Sequence, residues 1–521
     1  MRLKVVLLRP SHRTGSLFLK KLGFLPVPIG LLQLAGELLR SGRNTVSVID
    51  MEADGKTIDE VVAELVASSP DIVGITLHAT AAHNTAVQIV RRTKKIAPGI
   101  KFVAGGHHAT FMAEELIRRG FDIVVLGEGD QTIAEIAEAL GKGEGLGSVR
   151  GIVYGSPGEI TRTAKRGLIA NLDSLSLPAL DLVEPSKYRL ETFGSGEFVI
   201  CLETSRGCPY ACEFCSVTPV WGNRWRCKSN KRILEELELA ERLGYSWVFF
   251  TDDVFFAEPV IKERKALFEE IIRRRMKLRW IVQTRPDAVV RHPDVVELAS
   301  RAGMRMAAIG VESGSRETLR KMRKGLRPST SQKAVEILDR NGVLTLCSMM
   351  LGAPYETVGD ILKTIRFGSR LVNSGADLIQ FTVYTPFPGT AAFYESSKNG
   401  SLVTKDWERF DILTPVMKTK VNPSVIQLLQ SFGVYFFQVK SYIRFKMKKK
   451  NMKGEKAKLL EEATGYVLGK MFVYLADMLK LPARMRETSR LFADARRNQP
   501  ESESFNSSSS TENSLIYWTA K

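Results

Sequence analysis

The sequence predicts an α/β protein with three parts: an N-terminal doubly wound parallel sheet (Rossmann-like), a partial β/α barrel of the TIM type, and a helical C-terminal region. Short apolar runs alternate with helical segments over the first 145 residues, and a second alternation begins near residue 198. Such alternation is typical of parallel sheets, whose ligands bind at the carboxyl ends of the strands. After the second alternation, the apolar residues have the spacing of helices and few segments are typical of strands, which predicts the helical C-terminal region.

The N-terminal part, residues 1–145, contains five predicted strands and five predicted helices. Its apolar runs lie close to Gly, Pro or Asp, as buried strands do. The strands are Val5–Leu8, Val46–Asp50, Ile72–Leu77, Phe102–Gly105 and Ile123–Leu126. The helices are Leu31–Ser41, Ile58–Ser68, Ala82–Ile96, Glu114–Arg119 and Thr132–Leu140. Residues 146–190 are rich in Gly, Pro and Ser, which predicts a linker with a hairpin at Gly151–Ile160.

The second part, residues 191–395, contains six predicted strands with helices between them. This pattern favours a β/α barrel whose functional residues follow the strands. The strands are Phe198–Leu202, Trp247–Thr251, Arg279–Gln283, Ala307–Val311, Leu344–Leu351 and Leu378–Val383. Residues 396–498 are predicted to be mainly helical, and residues 499–521, with a serine run, to be a disordered tail.

The net charge of +18 is concentrated late in the chain, because Ser431–Pro500 holds 16 Lys or Arg against 6 Asp or Glu. Nucleic acid, an anionic membrane surface, an acidic substrate or a solvated helical face would each explain this excess. No apolar run approaches the roughly 20 residues that span a bilayer. The first residues also lack the features of a signal peptide. We therefore expect a cytoplasmic protein, with peripheral contact with the inner face of the membrane as an open alternative.

Three cysteines, Cys208, Cys212 and Cys215, crowd into the segment R-G-C-P-Y-A-C-E-F-C-S that follows the first barrel strand. One tight loop with this spacing can place three thiolates around an iron–sulfur cubane, which normally takes four. The fourth iron would then be open to a substrate or cofactor. A structural zinc site is the alternative, and only Cys227 could supply its fourth ligand. Cys201 and Cys347 fall inside apolar strands and are expected in the core.

This C-x3-C-x-Phe-C segment resembles the signature of the radical S-adenosylmethionine (SAM) superfamily. The resemblance implies that Cys208, Cys212 and Cys215 are the metal ligands and catalytic residues of a 4Fe-4S cluster. It further implies that SAM binds the open iron and that one electron from the cluster releases a 5′-deoxyadenosyl radical. Phe214 matches the aromatic residue that lies beside the adenine of SAM.

The loops after the second and third barrel strands extend the resemblance. Asp252 and Asp253 lie where the family places polar groups against the methionyl end of SAM, and carboxylates are suitable partners for an ammonium group. In the run Q-T-R-P-D, Arg285 is expected to meet the SAM carboxylate.

The next two loops supply the remaining expected SAM contacts. Glu312, with Ser313 beside it in G-V-E-S-G-S, is expected to accept hydrogen bonds from the ribose hydroxyls. Gly352 and Pro354 in L-G-A-P-Y-E-T would allow the backbone to approach adenine closely. The run T-P-F-P-G-T, Thr385–Thr390, resembles a frequent end of this core.

The N-terminal part resembles the cobalamin-binding module often fused ahead of such a core. Its matching segments are P-x-G-L-L-Q-L-A, G-I-T-L-H-A-T, G-G-H-H-A-T and G-E-G-D. A nicotinamide or flavin fold competes, but no G-x-G-x-x-G follows the first strand. The expected cobalamin contacts are Thr76, Gly105, Gly106, His107, Gly127, Glu128 and Gly129.

The lower face of cobalt is the subject of a separate expectation. Many cobalamin proteins carry Asp-x-His-x-x-Gly, in which the histidine binds cobalt. Here that spacing is found at Asp50–Gly55, with Glu52 in place of histidine. In this register cobalt would have no histidine ligand, a state suited to methyl transfer.

The leading hypothesis is a cobalamin-dependent radical SAM enzyme that methylates an unactivated carbon of a small or lipophilic substrate. Radical ring formation or oxidation, as in anaerobic tetrapyrrole cyclases, is the alternative reaction. A non-enzymatic cobalamin or redox sensor is a third hypothesis. We expect a reductant such as flavodoxin or ferredoxin, a small-molecule or lipid-like substrate, and membrane contact through the basic C-terminal helices. Nucleic acid is not expected as a partner.

Overall fold

The computed structural model describes residues 2–12, 23–194, 197–448, 454–470 and 478–497, together with residues 473 and 476. The tail predicted for residues 499–521 lies outside these ranges. Two large sheets organise the described chain, one of seven strands and one of six.

The first sheet has the strand order β2-β1-β3-β4-β5-β6-β7, in which β1 to β5 are parallel. Its strands are β1 (Lys4–Arg9), β2 (Thr45–Asp50), β3 (Ile72–Thr76), β4 (Lys101–Gly105), β5 (Ile123–Val125), β6 (Ile152–Ser156) and β7 (Glu159–Arg162). The order reverses between β1 and β3, and ligands of doubly wound sheets bind at such a point. The hairpin β6–β7 pairs antiparallel with β5, so the start of the predicted linker belongs to this sheet.

Helices cover both faces of the first sheet, which makes it doubly wound as predicted. They are α1 (Ile29–Leu39), α2 (Met51–Asp54), α3 (Ile58–Ser68), α4 (His83–Ile96), α5 (His107–Phe111), α6 (Ala113–Arg118) and α7 (Asp130–Lys142). One core cluster contains Leu65 of α3 and Ile89 of α4, whereas the other contains Leu31 of α1 and Ile136 of α7. Because helices cover both faces of the sheet, its central strands have continuous apolar sequences.

The second sheet has the order β15-β14-β13-β12-β11-β8, and all its pairs are parallel. Its strands are β8 (Val199–Leu202), β11 (Trp247–Phe250), β12 (Arg279–Thr284), β13 (Met304–Glu312), β14 (Leu344–Leu351) and β15 (Leu378–Val383). The small ribbon of β9 (Ser205–Arg206) and β10 (Arg226–Cys227) adjoins it. Within the described chain β8 and β15 stand at opposite ends of the order, as in a partial barrel.

Helices alternate with these strands and continue beyond them. Those of the barrel are α8 (Val217–Trp221), α9 (Asn230–Arg242), α10 (Ile261–Arg273), α11 (Pro286–Arg291), α12 (Pro293–Arg301), α13 (Arg316–Lys321), α14 (Pro328–Arg340), α15 (Val358–Ser374) and α16 (Ala391–Lys398). The C-terminal helices are α17 (Pro423–Lys448), α18 (Glu455–Gly469) and α19 (Leu481–Arg497).

Helix α17 packs against β15, the last strand of the second sheet. The ring of Phe437 lies 5.4 Å from that of Phe381, and a Cβ at Gly433 would come within 2.8 Å of the Phe381 ring. The described residues include no helix that is both long and apolar enough to cross a bilayer.

Candidate functional site

The cysteine loop leaves the carboxyl end of β8 through the ribbon strand β9. Cys208, Cys212 and Cys215 are all partly exposed and free, and, after burial, the charge of Cys212 helps to raise the pKa of both Cys208 and Cys215. Burial is the main cause that raises the pKa of each thiol, that of Cys215 to about 12. The protein alone therefore favours the thiols, and iron would be needed to hold them as thiolates.

The other cysteines do not join this group. Cys201 and Cys347 are fully buried in β8 and β14, and burial raises the pKa of both. Cys227 lies on β10, where burial raises its pKa, and like Cys208 it packs against the cluster of Val254, Ala257 and Val260. Among the described residues no three His, Cys, Asp or Glu side chains are arranged to hold a metal ion, so the choice between a cluster and a zinc site rests on the three cysteines of the loop.

Glu213, between two of the cysteines, has a role that the sequence did not indicate. The hydroxyls of Tyr355 and Tyr384 donate to its Oε1 at 2.6 and 2.9 Å. Its backbone N–H donates to Met322, and its carbonyl accepts from the N–H of Ala392. The loop is thus fixed by residues after β14, after β15 and at the end of α13. Those partners are distant in sequence, so spacing alone could not reveal them.

Phe214 is half-buried beside this clamp. Its ring lies 6.4 Å from the Tyr384 ring in an edge-on arrangement, within a cluster that contains Met322 and Ala353. It therefore stands beside the loops after β13 and β14, which are the loops expected to contact SAM.

The two aspartates after β11 have different surroundings. Asp252 is 0% exposed and accepts hydrogen bonds from Thr204 and Ser205, so both its oxygens face the root of the cysteine loop. Asp253 is half-buried and accepts from the N–H of Gly207 at 3.2 Å. Burial, with Asp252 nearby, raises the pKa of Asp253 to about 7. Asp253 is the carboxylate available to an ammonium group.

Arg285 lies under the cysteine loop at the end of β12. Its guanidinium stacks 3.6 Å from the centre of the Tyr210 ring and donates to Asp287 and to the carbonyl of Lys324. It also donates to Cys212, which places this positive charge beside the cluster loop.

Glu312 ends β13 with a left-handed backbone, φ +62°, at an irregularity in its pairing with β14. Such strain in a residue other than glycine persists only where its surroundings enforce it. Lys324 donates to Glu312 at 2.8 Å. Although burial opposes it, Glu312 raises the pKa of Lys324. Ser313 is fully buried and bonds to Thr364 at 2.8 Å, so it supports this turn.

In the loop after β14, Gly352 is in close contact with helix α17. Gly352 has φ +86°, and a Cβ there would meet Ile426 of α17 at 2.8 Å, so packing against α17 requires this glycine. Glu356 accepts from the N–H groups of Gly352 and Ala353 at 2.8 and 3.0 Å. Pro354 is half-buried in the same loop.

At the N-terminal sheet, Thr76, Gly105 and Gly127 lie together at the carboxyl edge. Thr76 is the register partner of Gly105. Nothing lies within 4 Å of a Cβ built on Gly127, and only Val125, at 3.9 Å, approaches one on Gly105. These glycines leave open space at the edge where a large flat cofactor would lie. Gly129 differs, because a Cβ there would lie 3.4 Å from the side chain of Leu34.

The same edge carries a histidine pair. Gly106 has φ +102°, and a Cβ there would lie 2.9 Å from the backbone of His78. The ring of His107 lies 4.7 Å from that of His78 and 5.8 Å from that of Trp221. Its Nδ1 is 3.5 Å from Ser216 Oγ, beside Cys215. Desolvation by the surrounding protein, with His78 nearby, lowers the pKa of His107 to about 3, so the ring is neutral.

Glu128, expected to contact cobalamin, is bound by side chains of the cysteine-loop ribbon. Its carboxylate is buried, accepts from Arg206 and Arg226 at 2.9 Å, and accepts from the N–H of Ile169 at 2.7 Å. No free oxygen of Glu128 is left for a ligand.

The stretch expected to replace Asp-x-His-x-x-Gly follows the edge strand β2. Asp50 caps helix α2 and binds Arg9 and Tyr188, while Glu52 accepts from the backbone N–H of His12. The strand order reverses between β1 and β3, and the ligand crevice of such a sheet lies beside these two strands. Glu52 follows β2, which is not one of them.

Comparison with known proteins agrees with this geometry. The model of the B12 binding domain matches residues 15–137, and that of the radical SAM superfamily matches residues 202–368. An uncharacterized methyltransferase of Pyrococcus horikoshii is 30% identical over 442 residues, which are 84% of this chain and 92% of that protein. The anaerobic magnesium-protoporphyrin IX monomethyl ester cyclase of Rubrivivax gelatinosus is 26% identical over 454 residues, covering 85% and 79%.

A solved structure shares the fold. The radical S-adenosylmethionine methyltransferase TsrM from Kitasatospora setae superposes with a TM-score of 0.63 at 21% identity, covering 77% of this chain and 76% of that one. The family uses a 4Fe-4S cluster, SAM and cobalamin, and acts on small molecules with an external reductant. The three thiols and the open glycine edge fit these groups. This chain belongs to the radical SAM superfamily and is an enzyme of the branch that carries an N-terminal B12-binding domain.

Proposed function

We propose that this enzyme methylates an unactivated carbon of a small, lipophilic substrate. The observation that carries the proposal is the contact between the two cofactor edges, where His107 of the N-terminal sheet lies 3.5 Å from Ser216 of the cysteine loop. Adjacent sites suit the passage of a group from one cofactor to a substrate radical made at the other. The 30% identical relative, itself described as a methyltransferase, supports this reaction.

The residues divide the work between binding and positioning. Cys208, Cys212 and Cys215 hold the cluster, Asp253 binds the ammonium group of SAM, and Arg285 its carboxylate. When bound, the cluster and SAM supply a hydrogen-abstracting radical, and cobalamin supplies the methyl group. Tyr210, stacked on Arg285, keeps the guanidinium oriented. A flavodoxin- or ferredoxin-type reductant would deliver the electron.

Radical ring formation is the second candidate reaction. The cyclase of Rubrivivax gelatinosus is 26% identical to this chain over a similar share of its length. Both reactions require SAM cleavage, but only methyl transfer consumes a second SAM as methyl donor.

The test is to count the products of SAM in the anaerobically reconstituted protein with cobalamin and reductant. We expect both 5′-deoxyadenosine and S-adenosylhomocysteine, and loss of 5′-deoxyadenosine in Cys212→Ala. Cys227→Ala is the matched control and should retain both products. Formation of 5′-deoxyadenosine alone would favour cyclisation over methylation.

We also propose that α17 places the enzyme on the cytoplasmic face of an anionic membrane, from which a lipophilic substrate could enter. Helix α17 contains no Asp or Glu, and its exposed side includes Lys446. Apolar residues spaced three or four apart share that side, and Phe432 is 53% and Met447 78% exposed. The stripe consists of Val425, Leu428, Phe432, Phe436, Val439, Ile443 and Met447. An exposed apolar stripe with basic residues is typical of helices that lie on anionic lipid.

Flotation with vesicles tests the membrane proposal. The protein should float with phosphatidylglycerol vesicles and less with phosphatidylcholine vesicles, and a Phe432→Ser/Phe436→Ser variant should remain at the bottom. Ile96→Ser removes an equally exposed apolar side chain from α4 and should float as the native protein does. Equal behaviour of all variants, or a stable dimer without vesicles, would argue against membrane binding.

A further inference from the structure

Arg206, two residues before the first motif cysteine, is held by carboxylates of the N-terminal domain. Its Nη1 donates to Glu128 at 2.9 Å and to Asp130 at 2.8 Å, and its Nη2 donates to the other oxygen of Asp130 at 3.1 Å. Its Nε donates to Glu203 at 2.7 Å. The bidentate pairing with Asp130 fixes the guanidinium in orientation as well as position.

A second arginine strengthens this network. Arg226 is the register partner of Arg206 in the β9–β10 ribbon, and its Nη1 donates to both oxygens of Glu128 and to the carbonyl of Ile169. The side chains of Arg206, Arg226, Glu128 and Asp130 are at most 10% exposed, so water screens the pairs among them little. Burial alone would raise the pKa of Asp130, but Arg206 outweighs it and lowers that pKa.

The network joins the two loops that would carry the cofactors. Glu128 and Asp130 flank Gly129 and directly follow Gly127, the glycine with open space at the edge of the N-terminal sheet. Arg206 directly precedes Gly207 and Cys208. A displacement of either loop would therefore strain or break charge-assisted hydrogen bonds in a buried site.

We infer that Arg206 is a positioning residue that couples the cobalamin-binding loop to the cluster loop, so that each cofactor favours binding of the other. The inference rests on the cofactors of the family and not on the reaction proposed above. Coupling between the binding free energies of two sites is reciprocal by thermodynamic linkage. The cluster should strengthen cobalamin binding, and cobalamin should stabilise the bound cluster by the same free energy, which we expect to observe as slower loss of iron.

The test measures hydroxocobalamin binding by absorbance to each full-length protein before and after cluster reconstitution. In the native protein we expect the cluster to tighten binding by about tenfold. In Arg206→Gln the two affinities should be equal, and Arg206→Lys, which keeps the charge but loses the fork, should give an intermediate ratio. Arg444→Gln removes an ion-paired arginine from α17, far from both loops, and should keep the native ratio.

Asp130→Asn provides an independent variant in the other domain, needed if Arg206→Gln does not fold or takes up no iron. It should also reduce the ratio, and the rate of iron loss to a chelator should then depend less on cobalamin than in the native protein. An equal affinity with and without cluster in the native protein overturns the inference. A native ratio in Asp130→Asn overturns it as well. Because no turnover is measured, failure of the methylation proposal would leave these results unaffected.

Discussion

At the scale of single residues, buried polar groups explain why the cysteine loop has one conformation. Glu213 receives two tyrosine hydroxyls on one oxygen, and each tyrosine comes from a different strand end of the barrel. Burial and the Glu213 carboxylate raise the pKa of both Tyr355 and Tyr384, so both remain donors at all physiological pH values.

Removing both tyrosine hydroxyls should disturb the loop more than removing either one. Tyr355→Phe and Tyr384→Phe each leave one donor, whereas the double variant leaves a partly buried carboxylate unpaired, a loss of about 1–3 kcal/mol. We expect lower iron content and a lower thermal midpoint in the double variant beyond the sum of the singles. Tyr154→Phe in β6 controls for loss of a hydroxyl, and additive effects would contradict the clamp.

The buried carboxyl of Glu356 should make the stability of the protein depend on pH. Burial raises its pKa from 4.5 to about 7, so the folded state binds a proton that the unfolded state releases. Its contribution is therefore most favourable below pH 4.5 and is lost as the pH rises towards 7, by up to about 3 kcal/mol. Glu356→Gln should gain in thermal midpoint relative to the native protein between pH 5 and pH 8. A difference that is constant with pH would rule out this titration.

At the scale of elements, the loop after β4 depends on a glycine, Gly106, whose neighbours are backbone atoms. Gly106 follows β4 in a left-handed conformation, and the chain after β3 lies directly against it. His108 donates from its N–H to the carbonyl of Leu77, which holds the two loops together.

Gly106→Ala should damage the cobalamin edge specifically. The added Cβ would meet backbone that cannot rotate away, and the left-handed conformation adds strain of about 1–3 kcal/mol. We expect weaker hydroxocobalamin binding and a lower thermal midpoint, with the iron content unchanged. Gly99→Ala, at a site with no atom within 4 Å of the new Cβ, is the control and should behave as native.

At the scale of the whole molecule, the segment after the barrel contacts the N-terminal domain. Trp407 is buried between the rings of His83 and His108, and its Nε1 donates to Glu115 at 3.2 Å. His83 and His108 bond to each other at 2.9 Å, and burial lowers the pKa of both, that of His83 to about 4. This contact and the Arg206 network join the two domains at separate places.

Trp407→Ala should loosen the contact between the domains. Truncation of a buried tryptophan costs about 3–5 kcal/mol, and here it also removes one of the donors to Glu115. We expect a lower thermal midpoint and faster proteolysis between the domains. Phe432→Ala removes an exposed aromatic ring and should change neither, and unchanged proteolysis in Trp407→Ala would contradict the role of this contact.

Much of the architecture could be predicted from local sequence. Apolar runs such as Val5–Leu8 and Leu344–Leu351 coincide with strands, because a strand buried on both faces needs a continuous apolar run. Strand–helix alternation predicted two sheets of parallel strands, one after the other along the chain. The spacing of three cysteines within one loop identified the cluster motif. The hairpin β6–β7 was predicted, but its pairing with β5 was not, since edge pairing depends on partners outside the hairpin.

The sequence by itself therefore determined the fold class, the family and the cysteine loop, because each depends on residues near one another in the chain. The tertiary structure decided which partners each polar residue has. Asp252, Ser313 and Glu128 have the right chemistry and the right loops, yet each is fully engaged by distant partners. A side chain's availability depends on what burial brings to it, and spacing along the chain carries no record of those partners.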